Sequence, residues 1–236
     1  MGYKPRIQTP GLIRHVVSRG NGRMKIFLDD RDYRVFLFCL NEVVDEYDLE
    51  CWNYCLMPNH YHLSVCPRRA NFSNAIRRLN SEYAKGWNRR HQRVGHVFQG
   101  RFKDQIVQNS GYVFALSRYV ALNPVRAELV STPGEWPWAS YPALAGLTEP
   151  QPFLLAAPTL NMFGRGDIDA QRRSFSEFVL APSRDDTVYE RLRSNERIIG
   201  DRAFKESFKP RASPRPRDPE AGLDVATSSA GGAAEL

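Results

Sequence analysis

An α+β fold of order β-α-β-β-α-β, built on an antiparallel sheet, is predicted by three observations. Tyr33, Phe36, Leu37, Leu40, Val43, Val44 and Tyr47 form one apolar stripe at helical spacing. Two β-prone runs, 51–56 and 61–66, are separated by Met57-Pro58-Asn59-His60, a length suited to a hairpin connection. A second helical stripe, Phe72, Ile76, Leu79, Tyr83 and Trp87, follows the hairpin.

In chain order, residues 12–18 read as the first strand, closed by the turn Arg19-Gly20-Asn21-Gly22. The stripe from Tyr33 to Tyr47 is the clearest helix. After the hairpin, a second helix begins near Asn71 or Ser73 as a cap and shows Arg77, Arg78 and Lys85 on its outer side. Residues 97–108 read as a strand around Phe98, Phe102, Ile106 and Val107, with Gly100 as a bulge or a point of close backbone approach. Ser110 caps a third helix that runs to about Asn123, where Pro124 disfavours helical geometry at the preceding residue and ends it. The first six elements have the ferredoxin-like order, with both of their helices on one face of the sheet. Beyond Val130, STPGEWPWASYPAL predicts an irregular segment wrapping the first domain, and residues 187–208 one or two short helices. From Ala212 the chain has no aromatics and few large apolar groups, so it reads as a disordered tail. The expected division is 1–145, 146–211 and 212–236.

The chain has 236 residues, 42% hydrophobic and 25% charged, which excludes a wholly disordered chain and a coiled-coil rod. It contains no apolar run of about 18 residues, and its N-terminal stretch lacks the 7–15-residue apolar core of a secretory signal. A soluble intracellular protein with no membrane partner is expected. Thirty-three basic residues against 26 acidic ones give a net charge of +7, which favours a polyanionic partner. Between Arg68 and Lys103 ten of the residues are Arg or Lys and Glu82 is the single acid, so the basicity is concentrated. A solvated helix face is the plain alternative. Cys39, Cys51, Cys55 and Cys66 include no CxxC pair and sit in apolar contexts, which predicts buried free thiols.

Among the residues that can do chemistry, His60 and His62 stand two apart on a predicted strand. Period two puts both imidazoles on one sheet face, where their nitrogens can reach one divalent cation, while Leu63 and Val65 point to the core. Two hydrogen-bonded surface histidines would give the same pattern. Tyr119 and Asn123 lie one turn apart on the third helix, so a phenol able to attack and an amide oxygen able to bind a cation share one face. Tyr119 can equally be a packing residue, and Asn123 can instead cap the helix end before Pro124. His15 on the first strand can reach the same sheet face as a supporting donor or a DNA contact, or be a packed strand residue. His91 and His96 sit in a basic loop.

The segments RHVVSRGN (14–21), MPNHYHL (57–63), FQGRFK (98–103) and YVALNPVRAELV (119–130) occur in this order. Together they resemble the single-tyrosine HUH transposase family, particularly its REP-associated tyrosine transposase branch, over about residues 7–145. The resemblance implies cleavage and rejoining of single-stranded, hairpin-containing DNA through a 5′-phosphotyrosine. It implies His60 and His62 as ligands of Mg²⁺ or Mn²⁺, Asn123 as a third ligand and Tyr119 as the nucleophile. Tyr61 stands where the family motif usually carries a bulky apolar residue. Arg19, Arg77, Arg78, Lys85, Arg89, Arg90, Arg101 and Lys103 are the candidate DNA contacts, and Tyr83, Trp87 and Phe102 can stack on bases or fill the core. A monomer in the cytoplasm, associated with the nucleoid, is expected. The rival readings are a non-catalytic binder of structured nucleic acid and a metal-dependent hydrolase in which water replaces tyrosine.

Overall fold

The computed structural model describes residues 6–109, 111–182 and 187–209. Five strands form one sheet of order β2-β3-β1-β4-β5: β1 (Ile13–Arg19), β2 (Leu49–Met57), β3 (His60–Pro67), β4 (Lys103–Val107) and β5 (Ile198–Ile199). The first four are antiparallel neighbours in the expected ferredoxin-like arrangement, and β5 joins the edge parallel to β4. Helices α1 (Asp30–Tyr47) and α2 (Phe72–Arg90) cover one face. Their stripes meet the alternate residues Val16, Tyr61, Leu63 and Val65 in a core where Phe36, Leu40, Ile76 and Leu79 are fully buried. Each such side chain contributes about 1.5–3 kcal/mol by leaving water. Tyr61 lies in this core, and its hydroxyl donates to Asn80 Oδ1 at 2.6 Å.

The opposite face is covered as well. Helix α3 (Gly111–Arg126) packs on β2 and β3, placing Val113, Leu116, Tyr119 and Val120 against Ile13, Cys55, Met57 and Val107. A β-bulge between Cys51 and Asn53 changes the phase of β2, so that Trp52 and Cys55 reach this second layer. Short helices α4 (Tyr141–Leu144) and α5 (Ala157–Leu160) and the longer α6 (Ile168–Leu180) add Tyr141, Leu160 and Phe175 to the first core. Helices α7 (Thr187–Arg193) and α8 (Arg202–Glu206) flank β5.

Several sequence expectations are corrected. The strand expected over 97–108 is confined to Lys103–Val107. Gly100 adopts φ 98° with open space where a Cβ would stand, so backbone conformation and not close approach calls for glycine. Phe98 and Phe102 are buried for another reason, since they pack edge-on against Tyr61 and Phe72. Pro124 lies inside α3 and does not end it. The missing N–H removes one helix bond, but Ala127 N donates to Asn123 O and Leu129 N to Pro124 O, carrying the chain past the proline. Asn71 precedes α2 without a side-chain cap, its amide donating instead to Tyr47 O at 3.1 Å. Helix α6 lies in the accessory segment, at residues for which the sequence pattern predicts no particular element. Ser110 and the tail from Ala212 lie outside the described residues. The four cysteines are free, as expected, and three are buried.

Candidate active site

Strand register builds the site on the sheet face that α1 and α2 leave open. Val17 pairs with His62 and Arg19 with His60 across β1 and β3, while His15 pairs with Gln105 and Val17 with Lys103 across β1 and β4. Odd residues of β1, even residues of β3 and odd residues of β4 therefore share this face. The expectation that His60 and His62 oppose Leu63 and Val65 holds, but they are not surface histidines. His62 is 3% exposed and His60 half-buried, because α3 and α7 close over them.

His62 Nδ1 lies 2.9 Å from His15 Nε2, and His15 Nδ1 lies 2.9 Å from Gln105 Oε1. The two rings are nearly parallel, with centroids 5.2 Å apart, and meet edge to edge along this hydrogen bond. His60 Nδ1 lies 2.6 Å from Asn59 Oδ1. His62 Nε2 is buried and has no hydrogen-bond partner among the described residues. A buried polar atom without a partner costs about 1–3 kcal/mol, so such an atom in a pocket wall marks a place for a ligand.

Tyr119 stands over the histidines from α3. Its ring is 5.4 Å from both the His15 and His62 rings, edge-on to each, and 5.0 Å from Tyr189 of α7. Burial raises the Tyr119 pKa to about 12, Tyr189 adds to the rise, and Arg193, Arg126 and Arg19 oppose it. Asn123 donates its side-chain amide to Tyr119 O at 2.7 Å, so its second polar atom, the amide oxygen, remains the one a cation can take. A cleft of about 410 Å³ opens beside these groups, lined by His62, Tyr119, Arg19, Arg101, Lys103 and Arg193 among others. Its wall is imidazole, phenol and cation, a setting for an anionic group such as a phosphate.

Residues 8–123 match the family model described as "Transposase IS200 like". Residues 8–123 are a domain of this transposase family. A solved structure described as the REP-associated tyrosine transposase bound to a REP hairpin aligns with 71% of this chain and 93% of its own at 17% identity and TM-score 0.55, a likeness of fold. A candidate transposase from Deinococcus radiodurans R1 aligns with 54% of this chain and 92% of its own at 15% identity and TM-score 0.36. No curated protein matches the chain.

In this transposase the candidate DNA-contacting residues fall into groups. Arg19, Arg101 and Lys103 line the Tyr119 cleft. Arg77, Lys85 and Arg101 line a second groove of about 670 Å³ between α2 and the segment before β4, where Phe98 and Phe102 form an aromatic floor. Arg89 is exposed at the end of α2. Arg78 is paired with Glu82 at 2.9 Å, and Arg90 bridges Asp29 and the buried Asp32, tying α2 to the start of α1. Tyr83, Trp87 and Phe102 are all core residues, 1%, 2% and 7% exposed, with the Arg6 guanidinium 3.8 Å over the Phe102 ring, so none of the three offers an open face for a base. His91 binds Asp32 at 3.0 Å. The sequence leaves His15 open between a supporting donor, a DNA contact and a packed strand residue, and gives no sign of Gln105, Tyr189, Leu192 and Arg193 at the site. Gln105 is signalled only by the β1–β4 register, and the α7 residues only by the docking of that helix.

Burial of the transposase's histidines makes its stability depend on pH. Desolvation lowers His15 to about 4, and burial lowers His60 and His62 as well. Between pH 6.5 and 4 the unfolded chain holds a proton on His15 that the native protein does not, so stability rises with pH and is lost on acidification. His15 alone accounts for about 2 kcal/mol between pH 7.5 and 5. The urea midpoint of metal-free protein should fall across that window, and a constant midpoint would contradict a neutral buried imidazole.

Proposed function

We propose that this transposase nicks and rejoins single-stranded, hairpin-containing DNA, with Tyr119 as nucleophile and His60, His62 and Asn123 as ligands of Mg²⁺ or Mn²⁺. The observation that carries the reading is the convergence of Tyr119 and an unpartnered, buried His62 Nε2 on one cation-lined cleft. The histidine pair fits a divalent ion, since burial keeps both neutral and their Nδ1 atoms are engaged elsewhere. When bound, the ion supplies charge neutralisation at a non-bridging phosphate oxygen and at the departing 3′ oxygen.

The chain's own residues do the rest. Arg19, Lys103 and Arg193 draw the phosphate into the cleft, and Arg193, Arg126 and Arg19 favour the phenolate of Tyr119 against the burial that disfavours it. Tyr119 Oη attacks phosphorus, the bond to the 3′ oxygen breaks, the phenolic proton passes to solvent and the 3′ oxygen takes one up. The product is a 5′-phosphotyrosine and a free 3′ hydroxyl, whose reversal joins strands without another energy source. Arg77 and Lys85 in the α2 groove suit a continuing single strand through phosphate contacts. The hairpin in the REP-associated relative, and the motifs 14–21 and 98–103, support hairpin DNA as the substrate class and that branch as this chain's own.

Incubation with 3′-labelled single-stranded hairpin oligonucleotides and Mn²⁺, followed by denaturing electrophoresis, tests the reading. Label carried by the protein is expected. Cleavage without labelled protein would transfer the reaction to water, and DNA retarded but uncut across many hairpins would leave a binding protein.

A further inference from the structure

A chain of hydrogen bonds runs from the backbone of the C-terminal segment to His62, and its direction can be read off atom by atom. Backbone carbonyls only accept, and Gln105 Nε2 donates to Glu196 O at 2.8 Å and Arg191 O at 3.1 Å, in the connection around α7 and β5. The amide is thereby fixed with Oε1 toward His15 Nδ1. An amide oxygen only accepts, so the proton of the neutral His15 ring sits on Nδ1 and leaves Nε2 as an acceptor. His62 Nδ1 must then donate to His15 Nε2, which leaves the His62 lone pair on Nε2, the buried atom without a partner.

His60 repeats this logic on a shorter path. Asn59 Nδ2 donates to Arg23 O at 3.3 Å, which turns Asn59 Oδ1 toward His60 Nδ1 at 2.6 Å. The proton of His60 is held on Nδ1 and its lone pair is left on Nε2.

We propose that Gln105, His15 and Asn59 are positioning residues that lock both His60 and His62 in the Nδ1–H tautomer, and that the α7–β5 connection sets this polarity through Gln105. The proposal rests on the reading of His60 and His62 as ligands of the divalent ion. Neutral histidine in water prefers the other tautomer, so without the relay the His62 lone pair would spend most of its time turned from the cleft. The C-terminal segment is then part of the ligand-presenting machinery, although it supplies no ligand itself.

The test uses the full chain labelled with ¹⁵N-histidine. Long-range ¹H–¹⁵N spectra of metal-free protein should show His60 and His62 protonated at Nδ1. Gln105→Met removes the acceptor for His15; His62 should shift toward the Nε2–H form, and Mn²⁺ affinity measured by calorimetry should fall about 10–100-fold, the usual effect of losing a partner that orients a ligand. Hairpin binding without metal should stay at the wild-type level, which separates the effect from misfolding. Wild-type His62 protonated at Nε2, or a Gln105→Met protein with wild-type Mn²⁺ affinity, overturns the proposal while the covalent-adduct result stands. A wild-type protein with both Nδ1 protons in place that binds no Mn²⁺ overturns the ligand reading and the proposal together.

Discussion

Tyr119→Phe should abolish the proposed covalent protein–DNA adduct and lower strand cleavage by at least about 10³-fold, because the proposed nucleophile is gone. The fold should not notice the change. The ring makes edge-on contacts with His15 and His62 and a tilted contact with Tyr189, all of which phenylalanine keeps. The chain loses one oxygen in a largely buried position, so the thermal midpoint should stay the same or rise slightly. Hairpin affinity should also persist, since Arg19, Lys103 and Arg193 are untouched. Quantitative gel assays of cleavage, adduct and retardation on one substrate separate these outcomes. Residual cleavage within tenfold of wild type would mean that another group or water does the attack. Equal loss of binding and cleavage would mean that Tyr119 holds the DNA and does not cut it.

What the sequence disclosed follows from the range of the interactions involved. The facing of His60 and His62 is a consequence of strand period, and the shared face of Tyr119 and Asn123 of helix period, so both were legible from neighbours a few residues away. The burial of His62 was not, because it depends on α3 and α7 covering the far face of the sheet. The His15–Gln105 contact joins residues 90 positions apart and exists only at one register of β1 against β4. Charge counting had a similar blind spot. Arg78, Lys85 and Arg90 look like free surface cations in the chain, yet Glu82 pairs with the first two and Asp29 and Asp32 hold Arg90 across the α1–α2 junction. The strand forecast over 97–108 failed because Phe98 and Phe102 are apolar for contacts with Tyr61 and Phe72 and not for sheet pairing.

Asp104→Ala should be the most damaging single change away from the cleft. Arg14 is fully buried beneath α2, with its guanidinium 4.4 Å from the centre of the Phe72 ring, and Nη1 meets Asp104 Oδ2 at 2.9 Å. Burial lowers the Arg14 pKa while Asp104 opposes that fall. Asp104 also pairs with Arg6, so removing the carboxylate leaves two neighbouring cations and one of them without water. Breaking a buried pair from one side costs about 3–5 kcal/mol, which is comparable to a sizeable part of a domain's net stability. The denaturant midpoint should fall accordingly with an unchanged slope. Because Asp104 points to the α1–α2 face and Gln105 to the histidines, folded Asp104→Ala protein at low temperature should still form the Tyr119 adduct. The double change Arg14→Met with Asp104→Ala should recover much of the lost stability, since it removes the stranded charge along with its partner. A double variant no more stable than Asp104→Ala would show that the cost lies in the packing of β4 and not in the buried charge.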